Sequence, residues 1–230
     1  MSFDAPADLH AFLDVLRRER ALVEIDTEVD PKLEIAEIHR RVIAAGGPAL
    51  LFKNVRGADI PVVTNLFGTK QRVDLAFGTR PEEIIKEVAK LPEEMIPPTP
   101  GKLWAKRKLF GSLMKVGTKK VKGGPVTEVA EAPGLDRLPA ITSWEEDGGP
   151  FVTLPLVYTE HPETGVPNLG MYRMHVFDEK TTGMHFQIGK GGGYHLTAAG
   201  DLGQERRARD HRLDPRWLRH RVLIGALHTA

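Results

Sequence analysis

The first hundred residues place their apolar side chains in two patterns, helical spacing and short extended runs. Between Leu9 and Leu16, leucine and phenylalanine recur at intervals of three and four, which predicts an amphipathic helix with one buried face. The elements predicted after it are a strand over 21–25, a helix from Asp30 and Pro31 to Gly46, strands over 49–52 and 60–64, and a helix that Pro81 opens. Residues 1–100 are therefore predicted to form a small N-terminal mixed α/β unit that serves as scaffold.

A proline-rich segment over 92–101 interrupts these patterns and is predicted to be a linker. The stretch after it, 102–122, is rich in lysine and contains no acidic residue. Two interpretations stay open: a helix with a solvated positive face, or a surface that docks on anionic lipid at the membrane periphery or on a charged partner. A nucleic-acid partner is not expected, because such grooves interleave cations with exposed aromatic rings and only Trp104 and Phe110 are present here.

After residue 125 the pattern changes to short extended runs separated by glycine and proline, which favours an antiparallel, barrel-like sheet. Strands are predicted over 126–130 and 151–159, followed by a β-hairpin with strands over 170–177 and 183–188. In the first hairpin strand, one face carries Met171, Arg173, His175 and Phe177, and the other carries Tyr172, Met174 and Val176. In the second, Met184, Phe186 and Ile188 lie opposite His185 and Gln187. We interpret His175 as a half-buried structural residue.

The hairpin leads into a run of four glycines and one lysine over 189–193, which is predicted to be a flexible loop. Glycines let backbone N–H groups converge on an anion, and Lys190 adds a positive charge. The run is therefore a candidate site for a phosphate-bearing ligand. Loops of this composition are more often simple turns, and the residues alone leave both interpretations open.

Composition narrows the classes of function. The chain has 230 residues, of which 41% are hydrophobic and 27% charged, and its net charge of +1 predicts neither a nucleic-acid nor a membrane partner. It contains no cysteine, which excludes disulfides, thiolate metal sites and cysteine nucleophiles. We expect a cytoplasmic location, because the sequence shows no signal-like N-terminal pattern and no apolar run long enough to span a bilayer.

Three strings of the hairpin region, at 168–173 (NLGMYR), 183–186 (GMHF) and 190–192 (KGG), resemble the cofactor-binding hairpin of the UbiD-type carboxy-lyases. The strings that resemble the family's approach to this hairpin lie at 139–144, 147–149 and 154–155, and the likeness extends from about Leu9 to about Leu202. The resemblance implies an α+β fold in which 101–203 form a split β-barrel-like flavin-binding domain. It also implies non-oxidative decarboxylation of an aromatic or α,β-unsaturated carboxylic acid with prenylated FMN (prFMN), which serves as an electron sink.

The resemblance assigns roles to the matching positions. Asn168 corresponds to the family's amide ligand of a manganese ion bound to the cofactor phosphate, with potassium expected nearby. Arg173 corresponds to a catalytic arginine beside the substrate carboxylate, which a guanidinium suits because it can form two parallel hydrogen bonds. The positions that correspond to cofactor-contacting residues are Met171, Tyr172, Arg173, His185, Phe186, Gln187, Lys190 and Gly191.

Two departures from the family pattern affect these expectations. Relatives carry a histidine close to the metal at about position 189, where this chain has glycine, and His185 is a candidate substitute. Relatives also continue with a second metal-binding carboxylate and a proton-donating acid. Here 204–230 is an arginine-rich tail that we expect to lie outside the family fold, as in a truncated or frame-shifted product. A basic tail helix is the alternative interpretation.

Two classes of function stay open. The first is a decarboxylase, or its cofactor-binding portion, acting on an acid such as a 4-hydroxybenzoate-type quinone precursor, with a flavin prenyltransferase supplying the cofactor. The second is a non-catalytic protein that binds a flavin, another phosphate ligand or a partner protein, which the missing acid favours. A full-length chain is expected to form homo-oligomers, because relatives assemble through their C-terminal region.

Overall fold

The computed structural model describes residues 5–78, 80–97, 99–113, 134–187, 189–201 and 222–223. Helices in the first half are α1 (Leu9–Arg18), α2 (Glu34–Ala44), α3 (Lys70–Phe77), α4 (Arg80–Met95), α5 (Pro100–Ala105) and α6 (Arg107–Leu113). The strands there are β1 (Leu22–Ile25), β2 (Ala49–Phe52) and β3 (Val62–Thr64). The second half contains β4 (Phe151–Val152), β5 (Leu156–Glu160), β6 (Pro167–Met171), β7 (Met174–Val176), β8 (Thr182–Met184), α7 (Gly191–Asp201) and β9 (Val222–Leu223).

The N-terminal unit is a three-stranded sheet with β2 at its centre, parallel to β1 and antiparallel to β3. All four residues of β2 are buried, because helices cover both faces of the strand. Ala49 packs with the apolar face of α1, whereas Leu50 and Phe52 pack with Ile35 of α2. The mixed α/β character predicted for this region is therefore confirmed.

The second helix begins later than the sequence predicts. The side chain of Asp30 was expected to cap it, but α2 starts at Glu34, after Leu33 at a φ of 70°. The Asp30 carboxylate instead accepts the N–H of Lys32 at 2.7 Å, and the Glu34 carboxylate accepts the N–H of Asp30 at 2.7 Å. Asp30 thus stabilises the turn that precedes the helix, which is a common alternative role for an aspartate.

The predicted linker over 92–101 is largely helical. Helix α4 continues through Pro92 to Met95, and α5 begins at Pro100 behind the N-cap Thr99. The described part of the basic stretch forms α5 and α6, where Lys106 pairs with Glu94 at 2.7 Å and Arg107 stacks on the exposed Trp104. The rest of that stretch and the predicted strand over 126–130 lie outside the described residues, so membrane or partner docking stays a prediction.

The second half contains two antiparallel sheets of three short strands, with strand orders β4-β7-β8 and β6-β5-β9. Their shared core consists of Val152, Val157, Tyr172, Met174 and Val176. The strands within the described ranges form no closed barrel, so the split-barrel arrangement stays a prediction. Two predicted strands are each divided: 151–159 becomes β4 and β5, and 170–177 becomes the end of β6 followed by β7.

The hairpin between β7 and β8 is confirmed, with Val176 opposite Thr182 and Met174 opposite Met184. In the tail, Val222 and Leu223 pair with β5, while 202–221 and 224–230 are outside the described residues, where the expected departure from the family fold stays a prediction. Across the parts of the chain that the structure describes, every helix is too short or too polar to cross a membrane.

Candidate functional site

A cavity of about 790 Å³ opens between β6, the β7–β8 hairpin and the start of α7. Its volume is in the range of sites that hold large organic ligands. The residues that line it are Phe151, Asn168, Gly170, Met171, Tyr172, Arg173, His185, Gln187, Lys190 and Gly191. Eight of the nine residues singled out from the sequence are among them. The ninth, Phe186, lies behind the lining and packs against Tyr172 with ring centroids 5.1 Å apart.

The passage of the chain from one sheet to the other builds one wall of this cavity. Strand β6 ends at Met171 and β7 begins at Met174, so Tyr172 and Arg173 connect the two sheets. Tyr172 is buried in the core, whereas Met171 is 65% exposed, as the predicted alternation requires. A Cβ at Gly170 would lie 2.6 Å from the Tyr172 ring, so only glycine lets the ring lie over β6.

The glycine run forms the first turn of α7, not the flexible loop that its composition predicts. Gly189, at a φ of 84°, makes the turn before the helix. The N–H of Gly192 donates to the Tyr172 hydroxyl at 2.7 Å, and a Cβ at Gly191 would lie 2.1 Å from Asn168 Oδ1. These close contacts hold a helix N-terminus at the cavity beside Lys190. Such a terminus carries N–H donors and partial positive charge, which suit a phosphate.

Arg173 is held at the edge of the cavity by two neighbours. Its guanidinium donates to the Asp147 carboxylate at 2.6 Å and lies 3.5 Å from the centre of the Phe151 ring. The Arg173 side chain is 43% exposed and that of Asp147 only 12%. The hydrogen bond from Arg173 lowers the pKa of Asp147. The arrangement orients a planar cation that still has donors available for a ligand carboxylate.

A buried polar cluster behind Asn168 was not predicted from the sequence. The Asn168 amide nitrogen donates to the hydroxyls of Thr159 and Tyr172, at 3.3 Å in both cases. Thr159 Oγ1 lies 2.9 Å from Nδ1 of His195, whose ring packs edge-on against His161. Only the burial of these groups identifies the cluster, because they come from positions far apart in the chain. His175 is half-buried on β7, as expected, and stacks on Phe151.

The sequence matches two models of protein families. A family model described as the 3-octaprenyl-4-hydroxybenzoate carboxy-lyase N-terminal domain matches residues 13–91, and one described as the Rift-related domain of that carboxy-lyase matches residues 118–209. The chain belongs to the UbiD carboxy-lyase family. The second match contains every residue that lines the cavity.

Individual UbiD relatives agree with this assignment. An uncharacterized protein of Chlamydia muridarum is 53% identical over 193 residues, which are 83% of this chain and 33% of that protein. A protein of Chlamydia pneumoniae, named as a subunit of 4-hydroxybenzoate decarboxylase, is 49% identical over 194 residues, which are 83% of this chain and 32% of that protein. The chain therefore spans about a third of these relatives.

Solved structures of UbiD-class enzymes share the fold. HmfF from Pelotomaculum thermopropionicum, as an evolved dimeric form in complex with prFMN, matches with a TM-score of 0.67 at 25% identity, over 86% of this chain and 42% of HmfF. HmfF in complex with FMN matches with a TM-score of 0.65 at 26% identity, over 86% and 40% of the two chains. Both neighbours hold a flavin nucleotide.

The cavity's residues fit a flavin nucleotide better than they fit a metal ion alone. Lys190 and the start of α7 suit a phosphate, and Tyr172, Met171 and Phe151 offer apolar area to a ring system. For manganese, the described residues contain no group of three histidine or carboxylate side chains. The neutral Asn168 oxygen fits a hard cation only where a ligand phosphate supplies further oxygen atoms.

Proposed function

We propose that this chain forms the prFMN-binding part of a UbiD-type decarboxylase that acts on an aromatic or α,β-unsaturated carboxylic acid. The observation that carries the proposal is the convergence of eight sequence-predicted residues on one cavity. Two findings on relatives support it: HmfF is seen in complex with prFMN, and a chlamydial relative is named as a subunit of 4-hydroxybenzoate decarboxylase. A 4-hydroxybenzoate-type acid is accordingly the substrate that we propose to test first.

In this proposal, the chain's own residues bind and orient the cofactor. Lys190 and N–H groups at the start of α7 would hold the phosphate, and Asn168 would contribute its carbonyl oxygen to a manganese ion bound to that phosphate, with potassium expected nearby. Met171, Tyr172 and Arg173 contact the flavin ring system, and His185 and Gln187 supply polar contacts from the other wall. Bound prFMN would supply an electron sink for the electrons left when carbon dioxide departs.

Arg173 is proposed to bind the substrate carboxylate. Asp147 and Phe151 hold its guanidinium in place before the substrate arrives, which reduces the entropy lost on binding. Arg173 therefore acts on the reacting group, and Asp147 positions it.

A second candidate function is cofactor binding without turnover. The cavity-lining residues among those described include no aspartate or glutamate, so a proton-donating acid is absent from that set. The lack of such an acid in the described lining favours a chain that holds the cofactor without turning over a substrate.

Co-expression with a flavin prenyltransferase tests the binding step. The purified chain is expected to carry a flavin chromophore, measured by its absorbance spectrum, and to lose most of it in Arg173→Ala and Lys190→Ala. Lys180→Ala is the matched control, since Lys180 is an exposed lysine in the β7–β8 turn that pairs with Glu179. A chain that stays colourless, or that loses equal chromophore in the Lys180 variant, would contradict the proposal. Carbon dioxide release from 4-hydroxybenzoate then separates the decarboxylase from the binding protein.

A further inference from the structure

The polar cluster behind Asn168 consists of hydrogen bonds that run from one buried group to the next. Asn168 on β6 donates from Nδ2 to Thr159 on β5, and Thr159 Oγ1 meets Nδ1 of His195 on α7 at 2.9 Å. Thr159 is 2% exposed and His195 8% exposed, so water does not replace either partner. The direction in which each proton points is therefore set within the cluster.

The hydroxyl of Thr159 has one proton, and the position of that proton decides which group donates in each hydrogen bond that Thr159 makes. If His195 Nδ1 carries a lone pair, Thr159 donates to it, and Oγ1 is left to accept a proton from the Asn168 amide. If Nδ1 carries a proton, Thr159 accepts from His195, and its own proton is free to point at Asn168 or elsewhere. The cluster would then no longer fix the Asn168 amide, because either its nitrogen could donate to Thr159 or its oxygen could accept from Thr159.

The structure shows the amide orientation that the first arrangement requires. The Asn168 nitrogen points inward to Thr159 and Tyr172. The oxygen is the amide atom nearest a Cβ built on Gly191, a residue at the exposed start of α7 that lines the cavity. We infer that His195, acting through Thr159, orients the Asn168 amide so that its carbonyl oxygen faces the cavity. The inference rests on the proposed function for what meets that oxygen, a divalent cation held by the cofactor phosphate. His195 and Thr159 are positioning residues, because neither lines the cavity.

The surroundings of His195 favour a neutral ring. Burial lowers the pKa of His195, and the neighbouring His161 lowers it further. The His161 ring lies edge-on at 5.5 Å between centroids, and its own Nδ1 faces the N–H groups of Glu163 and Thr164, each at 3.3 Å. His161 Nδ1 is therefore the acceptor for two backbone N–H groups, and the ring packs against His195 edge-on.

Nitrogen-15 NMR of the whole 230-residue chain tests the proton positions without any cofactor. His195, assigned by comparison with His195→Gln, is expected to be the tautomer with a proton on Nε2 and none on Nδ1 near neutral pH. The Asn168 NH2 protons are expected to show contacts to the Thr159 side chain. A His195 ring protonated at Nδ1 would overturn the inference, whatever the chain binds.

Manganese binding in the presence of saturating FMN tests the consequence. Thr159→Val keeps the side chain's shape but removes the hydroxyl, whereas Thr159→Ser keeps the hydroxyl. Thr159→Val is expected to raise the Mn²⁺ dissociation constant about tenfold, because one buried hydrogen bond is lost. The dissociation constant is measured from the electron paramagnetic resonance signal of free Mn²⁺. Thr159→Ser is expected to stay within about threefold of the wild type. Thermal unfolding confirms that each variant is folded.

A double-mutant cycle with Asn168→Asp makes the test specific. A carboxylate presents an oxygen in either orientation, so Thr159→Val is expected to have little further effect on Mn²⁺ binding in that background. If the wild type binds both FMN and Mn²⁺, but Thr159→Val and Thr159→Ser bind Mn²⁺ with equal affinity, the inference is overturned and the proposed function stands. A wild type that binds neither FMN nor Mn²⁺ would contradict the proposed function, and the NMR result would then decide the orientation alone.

Discussion

Replacing Gly192 with alanine tests how closely the first turn of α7 packs on the hairpin. A Cβ at this position would lie 2.7 Å from Phe186 and 2.8 Å from the ring and hydroxyl of Tyr172. Both rings are held by the core of the second half, so neither can move away freely. The alanine would also push α7 outward and lengthen the 2.7 Å hydrogen bond from the Gly192 N–H to Tyr172.

Two opposing effects set the magnitude. Forcing a methyl group into a packed site costs about 1–3 kcal/mol. Alanine in place of glycine inside a helix gains roughly 0.5–1 kcal/mol, and Gly192 has no positive φ that would cancel this gain. Taking the middle of each range, the free energy of unfolding is expected to fall by about 1 kcal/mol.

Urea denaturation followed by circular dichroism measures this change, with Gly111→Ala as the control. Gly111 lies within α6, and nothing comes within 4 Å of a Cβ built on it. The same substitution there is expected to stabilise the chain by up to about 1 kcal/mol, since only the helix-propensity gain remains. If Gly192→Ala were as stable as wild type, or if both variants moved in the same direction, the close packing of α7 on Tyr172 would be refuted.

Three further predictions concern single contacts. Asp147→Asn should lower the free energy of unfolding by less than about 1 kcal/mol in a urea titration, because the ion pair to Arg173 is partly exposed; a larger loss would mean that Arg173 is a core residue. Burial lowers the pKa of His195 and of His39 below the ordinary value of 6.5. As the pH falls, both histidines are therefore protonated in the unfolded chain before they are protonated in the folded chain. The free energy of unfolding should decrease as the pH falls below about 6.5, and less steeply in His195→Gln. A pH dependence that the substitution leaves unchanged would contradict this. Thr69→Ala should cost about 1 kcal/mol through loss of the α3 N-cap, and Thr69→Ser should restore it in thermal unfolding.

Local patterns in the sequence predicted the parts of the fold that depend on neighbouring residues. The helical spacing before Leu16 and the alternation around Tyr172 identified the buried faces, because burial follows the period of the element. The alternation continues unbroken through Arg173, however, and cannot reveal that the chain leaves one sheet there and enters another. Which strand supplies the hydrogen-bonding partner depends on residues distant in sequence.

The glycine run and the buried cluster both show that local sequence patterns do not predict contacts between residues distant in sequence. Glycine is a poor helix former, so its propensity predicts a loop over 189–193. Contacts of Gly191 and Gly192 with Asn168 and Tyr172 outweigh that preference and select the helix. The pairing of Thr159 with His195 joins positions 36 residues apart, and no spacing rule connects them. The resemblance to a family identified eight of the ten residues that line the cavity, but not the groups that hold the lining in place.

The lining itself divides into positions that tolerate change and positions that do not. At Gly170 and Gly191 any side chain would collide with Tyr172 or Asn168, so random mutagenesis there would select against folding before it altered ligand preference. Met171, His185 and Gln187 are exposed and can be exchanged without repacking the interior. A combinatorial library that seeks a new acid substrate should therefore diversify those three codons and leave both glycines untouched.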